Sequence, residues 1–163
     1  MRTTITGLAG VAGQPARKPP TKEGPSASEI HHEVVASGTH FFAQLGLRDV
    51  AVEGVELAIE LPLRPQIANP RGGLQGGLLA TLVDVVGGRM AMEGCPPGLI
   101  ATTTDLTIHY LAPVAVGPAQ ARGRVLRRGR RSVVLQVDIH DAGAERLAAV
   151  GTVSFALVDL GDR

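Results

Sequence analysis

The chain has 163 residues, of which 44% are hydrophobic, which is enough for one globular domain with a sizeable core but cramped for two. Its 16 basic and 15 acidic side chains give a net charge of +1, and aromatic residues make up only 2%. This composition argues against a nucleic-acid partner, which usually requires a basic excess and stacking aromatics. The lone Cys95 cannot form an internal disulfide, and no apolar run approaches the ~20 residues of a membrane span, so we predict a cytoplasmic protein with no membrane segment.

The N-terminal part of the chain differs in composition from the rest. Residues 1–27 include GQPARKPPTKEGPSAS, in which Pro, Gly, Ser and charge replace apolar periodicity, and this pattern predicts a flexible tail. The globular domain is expected to span residues 28–160. A first helix is predicted to begin near Ser26 or Ser28 and to end by Leu45.

The rest of the chain reads as one hairpin, one buried helix and a run of strands. Alternating apolar residues in LRDVAVEGVELAIELPL predict a hairpin that turns around Glu53–Gly54. The segment from Gly77 to about Met92 is apolar nearly all round and predicts a buried helix. Strands are predicted in LIATTTDLTIHYLAP, QARGRVLRR, SVVLQVDIH and RLAAVGTVSFALV, joined as an antiparallel meander. The order of elements indicates an α+β fold in which the sheet wraps around the helix.

The segment NPRGGLQGGLLATLVDVVGG, residues 69–88, places one carboxylate, that of Asp84, in an otherwise apolar helix. The neighbours of Asp84 one helical turn away are all small or of modest size: Ala80, Thr81, Gly87 and Gly88. Such a stripe leaves room for a ligand or for another backbone, although the two glycines could instead mark a kink. A buried acid calls for a partner or a functional site; the alternative is a carboxylate that binds a nearby Thr hydroxyl or a backbone amide.

The start of this helix offers a second functional feature. The N–H groups of Gly76 and Gly77 would point outward at the positive end of the helix dipole, where they can hold a carbonyl oxygen as it becomes an oxyanion. Asp84 lies two turns further along, ~12 Å from Gly76 at the helical rise per residue. A catalytic site that uses both groups would therefore need a second subunit, so we expect a dimer.

The run N-P-R-G-G-L-Q-G-G-L-L-A-T-L-V-D resembles the signature of hotdog-fold acyl-CoA thioesterases of the phenylacetate-degradation (PaaI-like) group. The resemblance extends over about residues 28–158. It implies a homodimer, assembled further into a tetramer, that hydrolyses an acyl-CoA without a metal or other cofactor. By the same resemblance, the Gly76 N–H polarises the thioester carbonyl and Asp84 of the partner subunit is general base or nucleophile. Asn69 would then orient the carbonyl or the attacking water.

Two further positions are compared with this signature. Thr103 matches a Ser or Thr that can hold the attacking water, with a structural Thr as the alternative. Strand alternation places it on a polar face with Asp105, Thr107 and His109, although a bulge could reverse that. Gln75 stands where most relatives have His. Gln can donate a hydrogen bond but cannot supply a proton near neutral pH.

Substrate contacts are expected at two places. Gly77, Thr81, Gly87 and Gly88 would line a groove along the helix. Several arginines of the basic hairpin turn could bind CoA phosphates, with a solvated hairpin tip as the alternative. The candidates are Arg127, Arg128, Arg130 and Arg131.

Other classes of function fit the sequence less well. The histidines lack a metal-ligand spacing, and GGLQGG lacks the Lys-Ser/Thr of a phosphate-binding loop. Two rivals within the same fold remain: a protein that binds acyl-CoA without turnover, suggested by Gln75, and a dehydratase or hydratase. The latter usually pairs a His with an acid, and no His lies between His40 and His109.

Overall fold

The computed structural model describes residues 41–159. The predicted tail, the start of the first predicted helix and the proposed limits of the domain lie outside the described residues. The elements follow in this order: α1 (Phe41–Leu45), β1 (Arg48–Val50), β2 (Leu57–Leu61), a 3-10 helix (Pro65–Ile67), α2 (Gly76–Glu93), β3 (Leu99–Tyr110), β4 (Ala119–Arg128), β5 (Ser132–Asp141), a second 3-10 helix (Ala142–Ala144) and β6 (Arg146–Asp159). Within this part of the chain, no helix combines the length and apolarity needed to cross a membrane.

The strands form one antiparallel six-stranded sheet in the order β1-β2-β4-β5-β6-β3. The predicted β1–β2 hairpin is confirmed, and β4, β5 and β6 form the predicted meander. The position of β3 in that meander was wrong, because β3 pairs with β6 at the far edge of the sheet. The connection of residues 111–118 therefore crosses the ends of β6 and β5, where Ala148 accepts hydrogen bonds from two of its backbone N–H groups.

Helix α2 packs on the concave face of the sheet along one stripe. Its buried residues recur at the three- and four-residue spacing of a helix face; they are Leu79, Leu82, Val83, Val86, Gly87, Met90 and Ala91. The prediction of a buried helix is confirmed for this face. The sheet covers one side only, so Thr81, Asp84 and Gly88 remain half-exposed.

The two adjacent glycines of α2, Gly87 and Gly88, have different surroundings. A Cβ on Gly87 would lie 2.5 Å from Val153 Cγ1 and 3.0 Å from Phe155 Cε2, whereas a Cβ on Gly88 would come no closer than 3.6 Å to Phe155. The predicted role of Gly87 in a ligand groove is therefore corrected. Its missing side chain makes room for β6, and there is no space for a ligand on that side of the helix.

Gly87→Ala and Gly88→Ala are expected to change stability in opposite directions. Alanine at position 87 forces Val153 to shift and should destabilise the fold by about 1–3 kcal/mol, less the gain in helix propensity. Alanine at position 88 makes ordinary contact and should stabilise it by about 0.5–1 kcal/mol. Urea unfolding of both variants checks this pair. Equal changes in the free energy of unfolding would show that the contact of position 87 with Val153 does not destabilise the alanine variant.

Candidate active site

The loop before α2 is folded around the side chain of Asn69. Its Nδ2 donates to the Leu74 carbonyl at 3.2 Å, and its Oδ1 accepts from the Arg71 N–H at 2.9 Å. The Gly72 N–H bonds the Asn69 carbonyl at 2.9 Å, in a turn that gives Gly72 a φ of +84°. Both ends of the Asn69 amide are thus engaged in shaping the loop. Its predicted contact with substrate stays a prediction.

Gln75 caps α2 from an extended conformation but does so without its side chain. Its N–H donates to the Ile67 carbonyl at 3.2 Å, and its carbonyl accepts from the Leu78 N–H at 3.0 Å. The side chain is exposed and makes no capping hydrogen bond. Among residues 41–159, the N–H groups of Gly76 and Gly77 make no hydrogen bond to an acceptor. The helix therefore presents two donors and the positive end of its dipole at this point.

Tyr110, the last residue of β3, braces the first residue of the helix. Its hydroxyl donates to the Gly76 carbonyl at 2.9 Å, and its ring lies 3.4 Å from the position that a Cβ on Gly76 would occupy. A Cβ alone would make ordinary van der Waals contact with this ring, whereas a side chain larger than that of alanine would press on it. The sequence reasoning did not assign Tyr110 to the site. The available signal was that the only tyrosine of the chain ends the strand before LAP.

Two of the predicted site residues, Asp84 and Thr103, are in contact. The Thr103 Oγ1 donates to Asp84 Oδ1 at 2.8 Å across the space between α2 and β3. This contact also satisfies the alternative of an acid that binds a nearby Thr hydroxyl. The carboxylate keeps a second oxygen, and the residue is half-exposed. It can therefore still accept a proton from a water molecule that reaches this face.

A β-bulge explains how Thr103 reaches the helix. The register of β3 on β6 shifts between Thr103 and Asp105, so that Thr103 pairs with Phe155 and Leu106 with Val153. Paired residues of antiparallel strands point to the same face, and both partners are buried against α2. Simple alternation, which puts Thr103 on a face with Asp105, was therefore wrong, and the alternative of a bulge is correct. The bulge moves Thr103 to the helix side.

The rest of the small-residue stripe has a simpler environment. The Thr81 Oγ1 donates to the Gly77 carbonyl one turn earlier at 3.0 Å, so this hydroxyl is engaged within the helix. Gly88 lies half-exposed beside Phe155. In the described part of the chain, no group of three or more His, Cys, Asp or Glu side chains is arranged to hold a metal ion.

The arginines of the hairpin turn divide into two kinds. Arg128 donates to the carbonyls of Met90 at 2.7 Å and Ala91 at 3.0 Å, so it caps the C-terminus of α2. The prediction that Arg128 binds a CoA phosphate is therefore corrected, because its guanidinium is committed to the helix. Arg130 and Arg131 instead line a surface groove of about 790 Å³. The other lining residues are Leu99, Thr102, Leu157, Val158 and Asp159.

Comparison with known proteins agrees with this geometry. Residues 72–148 match the family model described as Thioesterase superfamily. Mouse acyl-coenzyme A thioesterase 13 is 30% identical over 97 residues, which cover 59% of this chain and 69% of the mouse protein. The crystal structure of thioesterase HI1161 from Haemophilus influenzae superposes with a TM-score of 0.70 at 21% identity, over 85% of this chain and 94% of that one. The structure of BH2602 from Bacillus halodurans with CoA gives a TM-score of 0.67 at 26% identity, over 79% and 85%.

The sheet wrapped around one long helix is the hotdog fold. The chain belongs to the thioesterase superfamily. At the level of the family, this membership supports hydrolysis of a thioester.

Proposed function

We propose that the protein is an acyl-CoA thioesterase of the PaaI-like group, which hydrolyses its substrate to a free acid and CoA. The observation that carries the proposal is the hydrogen bond from Thr103 to Asp84 on the half-exposed face of α2. The chain thus holds a carboxylate and a hydroxyl together where a water molecule could bind both. The Gly76 N–H, which we call the carbonyl clamp, lies at the start of the same helix.

The proposed reaction uses these groups in one sequence. The thioester oxygen accepts a hydrogen bond from the Gly76 N–H, which stabilises the negative charge that develops on it. Asp84 takes a proton from a water molecule held by Thr103, and the water oxygen bonds to the carbonyl carbon. The carbon–sulfur bond then breaks, and the CoA thiolate leaves and takes up a proton. In the alternative route, Asp84 attacks the carbonyl carbon directly, and water then hydrolyses the resulting anhydride.

The proposed reaction needs two copies of the chain. Gly76 and Asp84 lie on the same helix, ~12 Å apart at the helical rise per residue. Strand β3 supplies the interface that we propose. It is a 12-residue edge strand that pairs on one side only within residues 41–159. Long exposed edges invite pairing with another strand. Pairing of β3 with β3 of a second copy would bring Gly76 of one helix towards Asp84 of the other, whereas assembly into a tetramer is a separate proposal.

The CoA moiety is assigned to the groove beside β3. Two guanidinium groups, those of Arg130 and Arg131, can bind phosphate, and Leu99, Leu157 and Val158 offer apolar contact. Leu157, which lines the same groove, pairs with Ala101, and Ala101 lies two residues before Thr103 on the same face of β3. This supports a path from the groove to the reacting carbonyl. The bound CoA named for BH2602 supports a substrate of this class.

The rival that needs a direct test is a protein that binds acyl-CoA without turnover. Gln75 motivates it, since its exposed side chain cannot deliver a proton to the leaving thiolate. The decisive experiment measures thiol release from a panel of aryl- and alkyl-acyl-CoAs with purified protein, beside calorimetric binding of the same esters. Turnover of any ester supports the thioesterase. Binding without released thiol would leave the rival in its place.

A further inference from the structure

Asp141, the last residue of β5, is a fully buried carboxylate that lies outside the proposed catalytic groups. Its side chain is 0% exposed. Oδ2 accepts the backbone N–H groups of Ala115 at 2.9 Å and Val116 at 3.1 Å, and Oδ1 accepts that of Gly117 at 2.6 Å. A buried charge is costly unless its lone pairs are satisfied, and these three donors meet that need.

The carboxylate is held in its charged form. Burial alone would raise the pKa of Asp141, but the three backbone donors and the nearby Arg146 guanidinium outweigh burial and keep this pKa below its usual value. Arg146 Nη2 lies 4.0 Å from Asp141 Oδ2 and donates to the Pro113 carbonyl at 2.8 Å. Asp141 and Arg146 together therefore fix the segment of residues 113–117.

The segment 113–117 in turn contacts the loop that leads into α2. The Val114 carbonyl accepts the Leu74 N–H at 2.8 Å, and both side chains are buried. A Cβ on Gly73 would lie 3.2 Å from the same carbonyl, so this loop approaches the segment closely. Leu74 comes two positions before Gly76. Hydrogen bonds and two short stretches of backbone thus connect Asp141 to the start of the helix.

We infer that Asp141 is a positioning residue for the thioester reaction: it anchors residues 113–117, which hold Leu74 and thereby aim the Gly76 N–H at the thioester oxygen. The inference rests on the proposed role of Gly76 as carbonyl clamp. Oxyanion donors act through their fixed orientation, and a displacement of about 1 Å can lower a rate by about 100-fold. A merely structural Asp141 would lower stability and leave the rate per folded molecule unchanged.

Asp141→Asn tests the inference, with Leu135→Ala as control for general destabilisation. Asparagine keeps the size of the side chain but presents an NH₂ group to backbone donors. We expect kcat to fall by about 10- to 100-fold with KM nearly unchanged, because the clamp acts on the transition state. Leu135 is buried in the same strand. Its truncation should lower Tm yet leave kcat near the wild-type value. Activity is measured at a temperature well below the unfolding transitions of both variants.

A readout without substrate separates this inference from the proposed function. Hydrogen exchange of the Leu74 amide should accelerate in Asp141→Asn and not in Leu135→Ala. Unchanged exchange, or equal losses of kcat in the two variants, overturns the inference while leaving the function intact. If the wild type releases no thiol, the proposed function and the catalytic part of this inference both fail, and the exchange of Leu74 then tests whether Asp141 anchors the loop before α2. If Asp141→Asn does not fold, Arg146→Gln takes its place, with a smaller effect expected in the same direction.

Discussion

Asp84→Asn is expected to lower kcat for acyl-CoA hydrolysis by about 10²–10⁴-fold, the range typical for loss of a general base. The amide can still accept the hydrogen bond of Thr103, so the packing between α2 and β3 should survive. It cannot take a proton from water, and it is a poor nucleophile. KM should change little, because the carboxylate acts in the chemical step. Thiol release under single-turnover conditions measures the effect.

A matched control removes a carboxylate elsewhere. Asp49→Asn makes the same chemical change at an exposed position, where the carboxylate pairs with Arg89. Exposed ion pairs contribute about 0–1 kcal/mol to stability, so this variant should fold and turn over as the wild type does. Equal rates in Asp84→Asn and the wild type would remove Asp84 from the mechanism and reduce its bond with Thr103 to a structural contact.

Gly76→Pro is expected to lower kcat by about 10²–10³-fold, the usual effect of losing one oxyanion donor. Proline removes the N–H but suits the first position of a helix, where that group has no partner within the helix. The preceding Gln75 already has φ −62° and ψ 130°, a conformation that a residue before proline prefers. The substitution therefore deletes the donor while keeping the start of α2. Steady-state kinetics and circular dichroism together check both statements.

Gly76→Ala supplies the control for added bulk. Alanine keeps the N–H and places a Cβ about 3.4 Å from the Tyr110 ring, which is ordinary van der Waals contact. Its kcat should stay much closer to that of the wild type than the kcat of the proline variant. If the alanine and proline variants lose activity equally, contact with Tyr110, and not the donor, governs the rate.

Local patterns in the sequence predicted where the helix and the strands lie. The order of the strands in the sheet and the bulge in β3 depend on long-range contacts. The long apolar run from Gly77 to about Met92 predicted α2, and the lone carboxylate was visible within it. The position of β3 at the far edge of the sheet depends on pairing with β6, which no local pattern encodes. The bulge beside Thr103 belongs to the same pairing and reverses strand alternation there.

Contacts between side chains that are distant in the sequence could not be predicted from residue types. Asp84 was proposed as a lone carboxylate in an apolar helix and Thr103 from the family resemblance. The two side chains are in contact, and their catalytic roles stay a prediction. Arg128 looked like its basic neighbours, yet it caps a helix that ends 35 positions earlier in the chain. Asp141 ends a strand, and nothing in its local sequence indicates the distant N–H groups that it binds.

The claim that one site combines Gly76 of one copy with Asp84 of another is tested most directly by a mixed dimer. Asp84→Asn and Gly76→Pro chains, each with its own affinity tag, are co-expressed and the heterodimer is purified through both tags. With shared sites, one of the two keeps an intact Gly76 and an intact Asp84, so the heterodimer should recover about half of the wild-type activity by symmetry. A heterodimer as inactive as its two parent variants would contradict the shared site.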